Sequence, residues 1–184
     1  MTIYDTAKEF TDFILDQDEL TNSRRKQWNG EVRNAIKSYL NGVARNINQE
    51  KLGVQFRVQA FPFQHNYDSV ALGLDPVWSG IENNTQTLMG EDGKKFLLNR
   101  GTLNFQLIRN GLVSVYVSKP YVEGVESYVQ GYETEHLDYA EPAEIDDSYI
   151  DARIMEFFSI VRSYYTGDIE KMRPAIGFQQ KQLG

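Results

Sequence analysis

Apolar residues in the first fifty positions recur at helical spacing in two separate runs. The first run predicts a short helix over residues 4–16. The second run extends from Trp28 to Ile47 and predicts a longer helix, for which residues 21–23 offer Thr, Asn and Ser as N-caps. A polar stretch at residues 16–19 separates the two predicted helices. The apolar positions of the first run are Ile3, Ala7, Phe10 and Ile14.

From residue 53 the apolar pattern changes to every second position, as expected for half-buried strands. Two strands are predicted, from Val54 to Ala60 and from Val70 to Leu74, and residues 62–68 connect them. A third helical stripe runs from Ile150 to Tyr165, and residues 146–148 supply its N-cap region. Strands therefore occupy the middle of the chain and helices its two ends.

The hairpin over residues 102–118 has a register that follows from its side chains. A two-residue turn would place Leu107 opposite Ser114 and mix apolar with polar positions. A three-residue loop at 109–111, with Gly111 in the left-handed conformation, instead pairs Leu107 with Val113. One face of the hairpin is then apolar and the other mostly polar. The apolar face carries Leu103, Phe105, Leu107, Val113, Val115 and Val117.

Together these patterns predict an α+β fold. We expect a mainly antiparallel sheet of about five strands, with the N-terminal helices and one C-terminal helix packed on one face. The whole chain, 1–184, is expected to form one domain. Its predicted parts are helical residues 1–50, strand-rich residues 51–120, an acidic tyrosine-containing segment at 121–145, a helix at 146–166 and a tail at 167–184.

Composition narrows the chemistry that the chain can perform. There is no cysteine, which excludes disulfides, thiolate metal sites and cysteine nucleophiles. No basic leader precedes an apolar run at the start, and no run reaches the ~18 apolar residues of a membrane span. We therefore expect a cytoplasmic protein that does not interact with membranes.

Negative charge is concentrated in the last third of the chain. The net charge is −7, of which residues 121–184 contribute −8, residues 51–120 contribute +2 and residues 1–50 contribute −1. Between Tyr121 and Asp151 there are ten carboxylates, five tyrosines and no Lys or Arg. Such a segment attracts a basic protein surface and repels nucleic acid. The predicted partner-binding residues are Glu133, Glu135, Asp138, Glu141, Glu144, Tyr132 and Tyr139.

Most catalytic templates find no match in this sequence. The stretch from Gly90 to Lys95 has the wrong glycine spacing for a phosphate-binding loop and is better explained as a hairpin turn. His136 lies among Glu133, Glu135 and Asp138, and these residue types bind divalent cations when the backbone brings them together. A metal site formed by His136, Glu133 and Asp138 is therefore an alternative hypothesis. No catalytic residue can be assigned.

Three functional hypotheses follow in order of preference. The first is a non-enzymatic protein-interaction or assembly module that binds a basic protein partner through its acidic, tyrosine-bearing surface. The second is a metal-dependent hydrolase or small-ligand enzyme centred on His136, which is the only hypothesis that requires a divalent cation as cofactor. The third is an acidic mimic of nucleic acid that inhibits a DNA-binding protein. We expect a homodimer, because the apolar stripes and an open sheet edge exceed what one sheet face covers.

Overall fold

The computed structural model describes residues 2–61, 68–83, 94–122 and 133–166. The chain has an α+β fold with a long N-terminal helix, a five-stranded antiparallel sheet and a C-terminal helix. Its helical elements are α1 (Ile3–Gln27), a π-helical turn (Trp28–Val32), α2 (Arg33–Gln49), a 3-10 turn (Pro142–Glu144) and α3 (Asp147–Thr166). Its strands are β1 (Phe56–Phe61), β2 (Ser69–Leu74), β3 (Val77–Asn83), β4 (Lys94–Asn99), β5 (Thr102–Leu107), β6 (Val113–Ser118), β7 (Tyr121–Val122) and β8 (Thr134–Ala140).

The larger sheet has the strand order β1-β2-β5-β6-β8, and every neighbouring pair is antiparallel. The two strands predicted after residue 53 correspond to β1 and β2. A smaller antiparallel sheet, β3-β4-β7, was not predicted. The connection at residues 62–67, the predicted turn at 90–93 and the tail at 167–184 lie outside the described residues.

The predicted register of the 102–118 hairpin is confirmed. Leu107 pairs with Val113, and the Ile108 N–H donates to the Leu112 carbonyl over 2.9 Å to close the loop. Gly111 has φ of +80°, the left-handed conformation that the three-residue loop requires. The apolar face of the hairpin therefore points into the core as predicted.

The predicted boundary between two N-terminal helices is wrong. One continuous helical segment runs from Ile3 to Gln49, with a wider turn at Trp28–Val32. No proline or glycine occurs between residues 2 and 29, and the polar residues at 16–19 are compatible with a helix. Residues 21–23 consequently lie inside α1 and cap nothing. The helix is capped instead by Thr2, whose hydroxyl accepts from the Asp5 N–H over 3.2 Å.

The core lies between one face of the larger sheet and the helices α2 and α3, as predicted. Trp28 and Phe157 are fully buried against the sheet. The predicted cap of the C-terminal helix is also present, since Asp146 accepts from the Tyr149 N–H over 2.7 Å. The buried residues of α2 are Ile36, Leu40 and Ala44, and those of α3 are Ile150, Ile154, Phe157, Ile160 and Val161.

A buried carboxylate fixes the helical segment to the sheet at the π-helical turn. The Trp28 indole N–H donates to Asp68 Oδ2 over 3.1 Å, and Arg33 Nε lies 2.9 Å from the same oxygen. Asp68 is only 5% exposed and directly precedes β2. Because a buried charge is tolerated only with partners, this contact holds the junction of α1 and α2 in one place.

Candidate functional site

The predicted acidic site begins at the edge strand β8, where its first two carboxylates share a cation. Lys119 Nζ lies 3.4 Å from Glu135 and 3.8 Å from Glu133. Lys119 lies two residues before the predicted segment, which begins at Tyr121. The pairing neutralises part of the negative charge that the sequence places there.

The Asp138 side chain contacts α3 and is also partly exposed to solvent. Its Oδ2 accepts from the Tyr149 hydroxyl over 3.1 Å and lies 3.5 Å from Arg153. The Arg153 guanidinium also lies over the Tyr149 ring, 4.9 Å from its centroid. Burial, with the nearby Asp138 charge as second cause, raises the pKa of Tyr149 to about 12. Asp138 is therefore part of the packing between β8 and α3.

Glu141 forms a bidentate ion pair with Arg24. Both carboxylate oxygens accept from the Arg24 guanidinium, with Nε to Oε2 at 2.6 Å. These hydrogen bonds lower the pKa of Glu141 and raise that of Arg24. Glu144 completes a capping box by accepting from the Glu141 N–H over 3.3 Å. Thus all five predicted acids contact groups of their own chain.

The structure does not bring the three predicted metal ligands together. A bulge opposite Val115 and Tyr116 pairs Asp138 with Val115 and His136 with Tyr116. Asp138 therefore lies on the helix-covered face of the sheet and His136 on the opposite face. Among the described residues no group of three His, Cys, Asp or Glu side chains is arranged to hold a metal ion.

His136 instead packs against a predicted partner-binding residue. Its ring centroid lies 4.0 Å from that of Tyr139, and both side chains are exposed. Tyr132 lies outside the described residues. The predicted site is thus divided between two faces of β8 and the 3-10 turn.

A larger feature that the sequence analysis missed is the exposed apolar surface of α1. This helix is described along its whole length, and none of its 25 residues is buried. A folded protein rarely leaves so many large apolar side chains in water without a partner. Between 40% and 88% of the surface is exposed for Ile3, Tyr4, Phe10, Phe13, Ile14, Leu15 and Leu20.

Among the described residues, the hydrogen bonds that hold the helix to the rest of the molecule lie at its C-terminal end. Thr21 Oγ1 donates to the Asn110 carbonyl over 3.3 Å, and Arg24 donates to the same carbonyl over 3.1 Å. Upstream of Thr21, about 18 residues extend over roughly 27 Å of helix. The stripe predicted to pack in the core therefore lies on a projecting arm. The sequence signal was the absence of any helix breaker before Gly30.

Charge is also unevenly placed around the arm. The acidic residues from Asp5 to Glu19 lie mainly on the side of the helix opposite Phe10 and Ile14. An apolar face backed by a charged face is the pattern of a helix that packs against another surface. The part of the chain that the structure describes does not cover this face of α1.

The chain matches no family model, no curated protein and no solved structure. None of the described helices combines the length and apolarity that a membrane span requires. The case for function therefore depends on the geometry of this molecule.

Proposed function

We propose that this protein is an assembly module that dimerises by packing its α1 helix against α1 of a second copy. The carrying observation is that α1 has seven large exposed apolar side chains and no buried residue. The acids of residues 133–144 already have partners within the chain, so they support an interface less well than α1 does.

The order of residues along α1 supports an antiparallel pair. Phe10 and Ile14 lie at equal distances on either side of residue 12. A twofold axis at residue 12 therefore packs Phe10 of one copy against Ile14 of the other. The same face of the helix continues at Gln17 and Thr21. The intervals between positions 10, 14, 17 and 21 are four, three and four residues, as in a coiled coil. The same register places Ile3 of one copy beside Thr21 of the other. The apolar stripe is thus self-complementary at its centre.

The position of the hairpin loop at 109–111 argues against a parallel pair. This loop contacts Thr21 and Arg24 and so covers the stripe face of α1 from Thr21 onward. A parallel partner helix would extend past Thr21 and would occupy the same space as the loop. An antiparallel partner helix ends at its own Ile3 where the loop begins, and needs no rearrangement.

The apolar area of α1 can be compared with that of a standard interface. Each aromatic ring buries on the order of 150–250 Å² when fully covered, and α1 exposes three rings together with four aliphatic side chains. A standard interface buries roughly 800 Å² per partner. Of the seven exposed apolar side chains, Ile3, Phe10 and Ile14 lie on the face that the second helix would cover, so α1 supplies part of that area.

Light scattering coupled to size-exclusion chromatography tests the proposal. We expect the wild-type chain to give the mass of a dimer and the double variant Phe10→Ser, Ile14→Ser to give that of a monomer. Since neither side chain is buried, circular dichroism should show an unchanged fold in the variant. Asp12→Asn and Asp16→Asn, on the charged side of the same helix, serve as the matched control and should remain dimeric. A monomeric wild type, or a dimeric double variant, would contradict the proposal.

A further inference from the structure

The edge strand β1 has a pattern of backbone groups that can be read from its pairing with β2. The Asp75 N–H donates to the Gln55 carbonyl over 2.9 Å. Because hydrogen-bonded and non-hydrogen-bonded pairs alternate along an antiparallel ladder, Phe56 and Leu74, the next pair, do not hydrogen-bond to each other. The alternation then directs the N–H and C=O of Phe56, Val58 and Ala60 away from β2. These groups form the free edge of the larger sheet.

The first of these three positions is closed by a side chain. Asn48 Oδ1 accepts from the Phe56 N–H, and Asn48 Nδ2 donates to the Phe56 carbonyl, each over 2.8 Å. The amide thus imitates one residue of a neighbouring strand. Within the described ranges, no group lies in hydrogen-bonding position for the outward N–H and C=O of Val58 and Ala60. The edge is capped at one end and open beyond it.

The opposite edge of the same sheet is protected differently. Strand β8 carries Glu135 and Asp138 and contains the bulge next to Tyr116, and both features discourage pairing with another strand. Strand β1 has a single charged residue, Arg57, and no bulge against β2. The open edge is therefore specific to one side of the sheet.

A groove of about 750 Å³ lies along this edge, between β1 and α2. Such a groove between a strand and a helix is the setting in which extended peptides add to a sheet. Its lining includes Arg45 and Arg57 and no carboxylate, in a chain that has 26 acidic residues. Arg57 lies 3.5 Å from Asp75 outside the groove, whereas Arg45 has no ion pair with any described residue. The lining is Ser38, Asn41, Ala44, Arg45, Asn48, Gln49, Phe56, Arg57 and Val58.

We propose that the β1–α2 groove binds an extended acidic peptide segment of a partner protein, which adds to β1 as a sixth strand of the larger sheet. The outward backbone groups of Val58 and Ala60 pair with the peptide backbone. Arg45, which lies on α2, selects carboxylates on the peptide side chains that face this helix. This surface is separate from the α1 interface, and each proposal can fail without the other.

The test uses a short synthetic peptide in which valine and glutamate alternate, labelled for fluorescence polarisation. We expect it to bind the full-length protein at least about tenfold more tightly than a peptide with lysine in place of glutamate. Arg45→Gln should remove most of that difference. Lys37→Gln, also exposed on α2 but outside the groove, is the matched control and should bind like wild type. Equal affinity for the two peptides would overturn the proposal.

The backbone component is tested separately. Ala60→Pro removes one outward N–H while leaving the β1–β2 ladder intact, and should weaken binding by about tenfold or more. Should this variant fold poorly, the same test is made by N-methylating alternate amides of the peptide, which removes its donors without altering the protein. If the methylated peptide binds as tightly as the unmethylated one, pairing with β1 does not occur and the proposal is wrong.

Discussion

Arg24 and Glu141 form a bidentate ion pair, although 117 positions separate them in the sequence. The pair connects the end of α1 to the 3-10 turn that follows β8. It explains why a segment without any Lys or Arg of its own still has partners for its acids. The base of the projecting arm is anchored by the same contact.

Replacing Glu141 by Gln should lower the free energy of unfolding by about 0.5–1 kcal/mol at neutral pH, since the pair is partly exposed to solvent. The folded-state pKa of Glu141 lies below its reference value of 4.5. Its contribution is therefore present above that reference value and is lost as the pH falls through the folded-state pKa. Urea unfolding of both proteins should give a difference that disappears in acid. A gap that persists there would contradict the assignment.

Tyr149 should make stability depend on pH at the alkaline end. Its pKa rises from 10.0 in the reference state to about 12 in the folded protein. Its contribution is complete below the lower value and declines as the pH rises through this interval, because only the unfolded state then releases the proton. Over this pH interval, the free energy of unfolding of Tyr149→Phe should fall by about 1–2 kcal/mol less than that of wild type. Parallel profiles for the two proteins would show that Tyr149 is not the group responsible.

Gly111 is a position where any side chain is expected to be costly. Its φ is +80°, and an added Cβ would lie 2.7 Å from Arg24 Cβ and 2.9 Å from the Thr21 carbonyl oxygen. Gly111→Ala should therefore destabilise the fold by about 2–3 kcal/mol, through backbone strain and displacement of α1. Gly42→Ala, where a Cβ meets nothing within 4 Å, should instead be neutral or stabilising by up to ~1 kcal/mol. Thermal unfolding of the two variants makes the comparison.

The buried carboxylate of Asp68 predicts a further difference between two variants. Asp68→Ala leaves the Trp28 N–H and the Arg33 guanidinium without their shared partner and should cost about 2–3 kcal/mol. Asp75→Ala removes only an exposed ion pair at 3.5 Å and should cost less than about 1 kcal/mol. Denaturant unfolding curves should show this difference as different midpoints, with the same dependence of the free energy of unfolding on denaturant concentration. Equal costs would mean that Asp68 does not hold the helix junction.

The parts of the fold that could be predicted depend on contacts between neighbours in sequence. The 102–118 register followed from local alternation, because a one-residue slip would turn Leu107 toward solvent. The fate of α1 could not be predicted in this way, since a stripe such as Phe10 and Ile14 indicates a helix face and not what covers it. The ion pairs of the acidic segment could not be predicted for a related reason. Its counter-ions Arg24 and Arg153 come from other elements that only the fold brings near.

The central claim is that α1 pairs antiparallel with α1 of a second copy, and disulfide trapping tests it most directly. The chain has no native cysteine, so Ala7→Cys and Gln17→Cys each introduce one unique thiol. The proposed register places residue 7 of one copy beside residue 17 of the other, whereas identical positions lie about 15 Å apart along the axis, too far for a disulfide. We predict that oxidation of an equimolar mixture yields a cross-linked heterodimer and that neither variant cross-links alone. Cross-linking of Ala7→Cys with itself, or no cross-link in the mixture, would contradict the account.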